Sequence, residues 1–156
     1  MTEDKKLLVS AIKNGTVIDH IEAGRALKII QLLNLASHKQ IVTVGLNLPS
    51  TVMERKDLVK IENLRLTPEQ INNIAILAPN ATINIIADYK VIKKFPTEIP
   101  EIINHVIICP NPKCITNNEA METRFNIFKE KEDIVLRCHY CEKEYAKDEI
   151  GEYKNN

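Results

Sequence analysis

Apolar residues in the first hundred positions follow two periods, one typical of strands and one typical of helices. Strands are predicted where short runs are continuously apolar, rich in β-branched residues, or alternate between apolar and polar residues. In chain order these runs are Leu7–Ile12, Ile41–Leu46, Asp57–Glu62, Thr82–Ala87 and Tyr89–Ile92. The first part of the chain is therefore predicted to contain a β-sheet.

Two helices are predicted between these strands. The first begins at Asp19, because Asp19 and Glu22 have the spacing of a capping box and apolar residues follow at helical spacing. The second begins at the capping residue Thr67, continues through a proline and Gln70, and ends before Pro79. The resulting order β-α-β-β-α-β predicts an α+β fold, a ferredoxin-like sandwich with both helices on one face of an antiparallel sheet.

The four cysteines lie in the last third of the chain as two closely spaced pairs, Cys109 with Cys114 and Cys138 with Cys141. Each pair can present two sulfurs from one turn, and two such turns complete the tetrahedron that zinc prefers. The alternatives are two disulfides, which the lack of a signal peptide disfavours, or an isolated redox Cys-x-x-Cys. The spacing predicts one structural zinc ion with no open position for catalysis.

Two strand-like segments, Arg124–Phe128 and Ile134–Arg137, lie between the cysteine pairs and are separated by a charged turn. A small C-terminal β zinc-binding domain, with four cysteine ligands, follows from this arrangement. A stretch with two prolines at positions 94–100 precedes it, and we place the domain boundary there. The predicted domains are residues 1–100 and residues 101–156.

The distribution of charge along the chain indicates what kind of ligand each part can bind. The 156 residues carry 21 basic and 21 acidic side chains, and such a balance argues against general affinity for nucleic acid. Residues 1–100 are net +3 and residues 101–156 are net −3, so an anionic ligand is expected on the first part. No apolar run is long enough to span a membrane and no signal peptide is evident, so we expect a cytoplasmic chain.

Asp19 and His20 stand out at the predicted start of the first helix, where backbone N–H groups and the helix dipole favour anions. The alternative is that Asp19 is only a cap and His20 is simply exposed. Lys60 and Lys94 could supply cations to the same ligand if the sheet brings them together. The alternative for both lysines is a solvated surface position.

Six segments in this order together resemble the regulatory chain of aspartate carbamoyltransferase. They are Gly15–His20, Gly45–Ser50, Arg55–Asn63, Ala78–Thr82, Cys109–Asn111 and Cys138–Lys143. The resemblance implies a chain with no active site of its own, whose N-terminal domain binds the nucleotide effectors CTP and ATP. It further implies a zinc domain that binds the catalytic chain, and regulatory homodimers that bridge catalytic trimers in pyrimidine biosynthesis.

The resemblance also implies roles for individual residues. Asp19 and Lys60 would contact the base or ribose of the nucleotide, and His20 and Lys94 would contact its phosphates. Backbone groups would line the base and ribose pocket around Val9, Ala11, Ile12, Ile86, Tyr89 and Val91. Two rival classes are a zinc-ribbon nucleic-acid-binding protein, disfavoured by the acidic zinc module, and a zinc enzyme, disfavoured by four thiolate ligands.

Overall fold

The computed structural model describes residues 10–131 and 133–154, which form two antiparallel β-sheets and two α-helices. The first sheet contains β1 to β5 and the second contains β6 to β9. In chain order the elements are β1 (Gly15–Glu22), α1 (Ala26–Leu32), β2 (Val42–Ser50), β3 (Glu54–Glu62), α2 (Pro68–Leu77), β4 (Thr82–Ala87), β5 (Lys90–Pro96), β6 (Ile102–Asn104), β7 (Arg124–Glu130), β8 (Asp133–Cys138) and β9 (Glu144–Ala146). No helix in these described residues is long and apolar enough to cross a membrane.

The first sheet has the strand order β2-β3-β1-β4-β5, with every neighbouring pair antiparallel. Its first four strands and both helices give the predicted ferredoxin-like arrangement, and β5 extends the sheet beside β4. Both helices cover one face, where their buried side chains join those of Ile18, Ile21, Val59 and Ile61 in one apolar cluster. The predicted α+β class is confirmed.

The first predicted strand and the first predicted helix are misplaced. Residues 7–9 of the predicted strand lie outside the described residues, and residues 10–12 are not in a strand. The central strand β1 instead includes Asp19, so the Asp19–Glu22 capping box does not form. Helix α1 begins seven residues later, at Ala26, after Arg25, whose side chain makes no capping bond.

A β-bulge explains why the sequence of β1 did not indicate a strand. Ile18 pairs with Val59 and Ile21 with Asp57, so three steps along β1 match two steps along β3. The extra residue is accommodated at His20, whose φ is +56°. Ile18 and Ile21 are therefore both fully buried although they are three residues apart. That spacing is nearer to a helical period than to the two-residue alternation of a regular strand.

The carboxylate that anchors helix α1 comes from β3. Asp57 is fully buried, and its side chain accepts hydrogen bonds from the backbone N–H groups of Gly24 at 2.9 Å and Ala26 at 3.2 Å. It also accepts one from Asn47 at 2.9 Å, in a second bulge where β2 carries an extra residue opposite β3. Asp57 thus fixes the start of α1 and the bulge of β2 together.

Helix α2 begins as the sequence predicts. The Thr67 hydroxyl accepts a hydrogen bond from the Gln70 N–H at 3.2 Å, and the Gln70 side chain accepts one from the Thr67 N–H at 2.9 Å. This reciprocal capping box satisfies two N–H groups that the helix itself cannot pair. The helix ends at Leu77, before Pro79, also as predicted.

The second sheet has the order β6-β7-β8-β9 and packs against the first part of the molecule. Ile103, Ile107 and Ile150 are buried in the same cluster as residues of α1 and α2.

Ion pairs also join the second sheet and its flanking segments to the first part of the molecule. Arg25 pairs with Asp148, and Lys147 Nζ lies 3.3 Å from Glu22 Oε2. His105 Nε2 also lies 3.6 Å from Glu69 Oε1 across this junction.

Candidate functional site

The four cysteine sulfurs converge at one end of the second sheet and lie within 4.8 Å of one another. The Cys109 and Cys141 sulfurs are 3.7 Å apart, as are those of Cys114 and Cys138. Cys109, Cys114 and Cys138 are buried, and Cys141 is partly exposed. Each close contact joins one cysteine of the first pair to one of the second, so the two turns face each other.

These distances fit a bound metal ion and exclude the disulfide alternative. A disulfide requires sulfurs about 2.05 Å apart, much closer than the 3.7 Å seen here. A tetrahedron of thiolates with metal–sulfur bonds of about 2.3 Å has edges of roughly 3.8 Å. The side chains are therefore already arranged as four ligands of a single ion.

Hydrogen bonds hold both cysteine turns. Asn117 and Asn118 donate from their side chains to the carbonyl oxygens of Cys109 and Cys114, each at 2.9 Å. In the second turn, the Cys138 N–H donates to the Lys143 carbonyl at 3.0 Å. The ligand geometry is therefore imposed by the backbone of both turns, which favours metal binding without a large rearrangement.

The thiols differ in how readily they ionise before a metal binds. Burial raises the pKa of the Cys109 thiol to about 12. Burial acts on Cys141 in the same direction, but hydrogen bonds from the Lys143 backbone and the Asn111 side chain outweigh it and lower the pKa to about 7. Because thiolates are the ligands, metal binding at this centre must release protons.

A second candidate site lies on the face of the first sheet that the helices leave uncovered. Val17 of β1 pairs with Lys60 of β3 on one side and with Asn84 of β4 on the other. Asn84 in turn pairs with Lys94 of β5. Side chains of paired residues lie on the same face of a sheet. The four residues therefore form one row across four strands, which we call the polar row.

Asp19 lies two residues beyond Val17, beside the polar row, and pairs with Thr82. Its carboxylate is 2.9 Å from Lys56 Nζ and accepts a hydrogen bond from the His20 N–H at 2.7 Å. Burial opposes ionisation, but the Lys56 and His20 hydrogen bonds and the charges of these two residues outweigh it and lower the pKa of Asp19. The His20 ring contacts the Thr82 hydroxyl at 3.4 Å.

Lys60 is the most buried cation of the row, with 8% of its surface exposed. Its ammonium group donates to the Ser10 carbonyl at 2.7 Å. Burial lowers the pKa of Lys60, and the Asp19 charge partly opposes that effect. A buried ammonium near an open face is well placed to bind an anion or a carbonyl oxygen, because such a partner replaces lost hydration.

The remaining predicted residues lie around one end of the row. Ile12 and Ile86 are buried with Val17 in a small apolar cluster on this same face. Val91 pairs with Ile86 and is exposed, and Tyr89 is exposed as well. Ala11 precedes Ile12 at an exposed position.

A backbone hydrogen bond joins the turn between β4 and β5 to the segment before β1, since the Tyr89 N–H donates to the Lys13 carbonyl at 3.0 Å. Val9 lies outside the described residues.

One sequence argument about this face is wrong. His20 and Asp19 do not lie at the start of a helix, so the helix dipole does not act on them; they lie in the bulge of β1. The structure also adds residues that sequence reasoning missed, namely Val17, Lys56, Thr82 and Asn84. Alternation could have indicated Thr82 with Asn84, since residues two apart in a regular strand share a face.

Comparison with known proteins gives consistent matches along the chain. The family model described as the aspartate carbamoyltransferase regulatory chain, allosteric domain, matches residues 7–98. The model for the metal binding domain of the same chain matches residues 101–151. The regulatory chain of Photorhabdus laumondii is 49% identical over 150 residues, covering 96% of this chain and 97% of its own. That of Vibrio campbellii is 47% identical over 152 residues, covering 97% and 99%.

An allosteric part joined to a metal-binding part defines the class: a regulatory chain of a multi-chain transferase. Within that class, the chain belongs to the family of aspartate carbamoyltransferase regulatory chains. The resemblance seen in the six sequence segments is thereby confirmed. A regulatory chain of this family implies a catalytic chain as its partner.

Proposed function

We propose that the uncovered face of the first sheet binds nucleotide effectors, CTP and ATP, and that the chain transmits their binding to the catalytic chain in pyrimidine biosynthesis. The polar row is the observation that supports this most directly. Two cations, a buried amide and an apolar residue lie side by side on a face without helices. A nucleotide presents phosphates, a polar base edge and an apolar ring, and this set of groups matches all three.

The proposed division of roles is the one that the family resemblance implies, and the position of each side chain on this face supports it. Lys94, on the outer strand, and His20, in the bulge, are the proposed phosphate ligands. Lys60 and Asp19 are proposed to contact the base or ribose, where their burial makes hydrogen bonding more selective. Backbone groups near Val9, Ala11, Ile12, Ile86, Tyr89 and Val91 are proposed to line the pocket.

The metal is proposed to be a single zinc ion with a structural role. Zinc is commonly bound by four cysteine thiolates, which fill its tetrahedral coordination and leave no place for a substrate. Cys109, Cys114, Cys138 and Cys141 would hold the ion, and its binding would stabilise the second sheet. We propose that residues 101–156 bind the catalytic chain while residues 1–100 bind effectors, so that the chain has no active site of its own.

A homodimer is proposed through the edge of the first sheet formed by β2. That strand contains no charged residue, whereas the opposite edge, β5, carries Lys90, Lys93 and Lys94. Lysines on an edge strand discourage pairing with another chain, so β2 is the edge better suited to it. Such regulatory dimers would bridge catalytic trimers in a cytoplasmic enzyme.

Calorimetric titration of the zinc-loaded chain with CTP and with ATP tests the effector proposal. We expect binding by the unmodified chain and affinity about tenfold or more weaker in Lys94→Met, because a charge-assisted phosphate contact is lost. Lys93→Met is the matched control. Its ammonium lies 5.3 Å from the centre of the Phe95 ring, and Lys93 and Phe95 line a cavity together with Pro68 and Ile71 of α2, on the face covered by the helices. Equal loss in both variants, or no nucleotide binding at all, would refute the assignment of this face.

A further inference from the structure

A cavity lies on the side of the first sheet opposite the polar row, where the two parts of the chain meet. Its volume is about 330 Å³, near the lower end of the range for ligand cavities. The walls come from the end of α1 with the following loop, the first two turns of α2, and the segment after β6 with the C-terminal segment. The lining residues are Leu32, Leu33, Asn34, His38, Thr67, Glu69, Gln70, Asn73, His105, Val106 and Lys154.

Asn73 is the residue that points to a ligand. Only 9% of its surface is exposed, and it lines this cavity from the second turn of α2. Within residues 10–131 and 133–154, no group forms a hydrogen bond with its side-chain amide. Its amide atoms are not among the fully enclosed polar atoms of the described residues, so they are open to the cavity, where a bound water, ion or ligand can pair with them.

The other polar groups of the cavity are mainly hydrogen-bond donors. The Thr67 hydroxyl and the Gln70 side chain accept bonds within the capping box, which leaves the hydroxyl proton and the NH₂ group to donate. His38 and His105 each carry at least one ring N–H in any protonation state. Lys154 adds a positive charge, and the positive end of the α2 dipole lies at the same wall.

One group opposes an anion. The Glu69 carboxylate also borders the cavity, but its side chain is 66% exposed and it lies 3.6 Å from His105. Its charge is therefore largely solvated, and water and salt screen it. The buried residues of the lining are Leu32, Leu33, Asn73 and Val106, and none of them is acidic.

We infer that this cavity binds a small oxyanion, either a carboxylate or a phosphate group. The oxyanion accepts from Asn73, from the first turn of α2 and from Lys154. Because its walls come from both parts of the chain, the bound anion ties α2 to the segment containing His105 and Val106. The site is separate from the polar row, which lies on the other face of the sheet.

Titration of the ¹⁵N-labelled, zinc-loaded full chain, followed by NMR at constant ionic strength, tests this inference. One arm uses inorganic phosphate, a second uses acetate, and chloride serves as the reference. We expect saturable shifts of the amide signals of Glu69, Gln70, Asn73 and His105. Saturation with phosphate alone identifies a phosphate site and saturation with acetate alone a carboxylate site. Shifts at His20 and Lys94 report the proposed nucleotide face independently.

Two variants and one control make the outcome decisive. Asn73→Leu is expected to weaken anion binding at this cavity about tenfold, the loss of one hydrogen bond to a charged group. Asn72→Leu changes the exposed neighbour on the same helix and should leave binding unchanged. Lys154→Met, at an exposed position, should weaken binding without endangering the fold. Unsaturable shifts with both anions, or unchanged binding in Asn73→Leu and Lys154→Met, would show that the cavity holds only water.

Discussion

The two sheets of this chain are stabilised in different ways. The first has a layer of two helices and a continuous core of aliphatic side chains, including Ile18, Ile29, Ile61 and Ile74, all fully buried. The second has no α-helix among its described residues, and two of its four strands are only three residues long. The cysteine cluster is part of its buried core, which is continuous with that of the first sheet. A layer of helices lets the first sheet keep one face open, whereas we expect the second sheet to gain much of its stability from a bound metal.

Removing a metal ligand should have the largest effect and should separate the two sheets most clearly. In Cys114→Ala we expect the metal content to fall from one ion per chain to none and the second sheet to unfold. Structural zinc contributes on the order of 10 kcal/mol to small folds of this kind. Binding to the catalytic chain should be lost, while CTP binding at the first sheet should stay close to that of the unmodified chain.

Metal analysis, light scattering of mixtures with the catalytic chain, and calorimetry with CTP measure these three properties. Lys113→Ala, at an exposed position in the same turn, should retain the metal and the fold. Loss of CTP binding together with catalytic-chain binding would contradict the division of roles between the two parts. A complex that survives removal of the metal would contradict the role assigned to the zinc.

Substitution of Asp57 should damage the first sheet and spare the metal centre. Asp57→Ala removes the acceptor of three backbone N–H groups, and we expect it to lower the free energy of unfolding by about 3 kcal/mol. Urea unfolding followed by circular dichroism measures the loss, and metal content should remain unchanged. Glu98→Ala, an exposed acidic residue, is the control. An effect of the same size in both variants would show that the three hydrogen bonds contribute little.

A smaller effect is expected from Asp19, and it should depend on pH. The pKa of Asp19 is lowered below its ordinary value of 3.8, so the ionised carboxylate stabilises the fold above that pH. This stabilisation is lost as the pH falls through the lower, folded-state pKa. The unmodified chain should therefore exceed Asp19→Asn in stability near neutral pH, by less than about 1 kcal/mol. The difference should shrink towards acid.

Urea unfolding of both proteins at a series of pH values measures this difference. Acid-induced release of the metal affects both proteins and cancels in the comparison. A difference that stays constant from neutral pH to below 3.8 would contradict the ion pair with Lys56 as its source.

Local signals in the sequence predicted some elements well. The capping box at Thr67 gave the start of α2, and Thr82–Ala87 gave β4 with its bounds, because both patterns are complete within a few residues. The paired cysteines indicated one cluster for the same reason, since each turn is short. The ferredoxin-like order followed from counting elements, even though two of them were misplaced.

The errors share a long-range cause. β1 exists because Gly15–Glu22 pairs with β3 on one side and β4 on the other, and none of those contacts is local in sequence. Gly15 illustrates the point: its φ is +143°, and a side chain there would collide with the Ile61 carbonyl. The polar row likewise depends on strand register. The sequence could therefore single out Lys60 and Lys94 as candidates, but it could not show that their side chains lie on the same face of the sheet. The site roles of Asp19 and His20 came from family resemblance.

The hydrogen bonds of Asp57 have a consequence for how this chain can change in length. Deleting one residue from the bulge of β1 would restore a regular ladder with β3 and keep Ile21 on the buried face, but it would remove the position that His20 occupies. A deletion or insertion elsewhere in β1 would turn the side chains on one side of the change to the opposite face of the sheet. Deletion within β2 would withdraw the Asn47 N–H from the carboxylate that also fixes α1. Single-codon insertions and deletions should therefore be excluded from β1, β2 and β3, and tolerated at the exposed positions 36–39. Substitutions in these three strands should therefore be tolerated more readily than changes in the number of their residues.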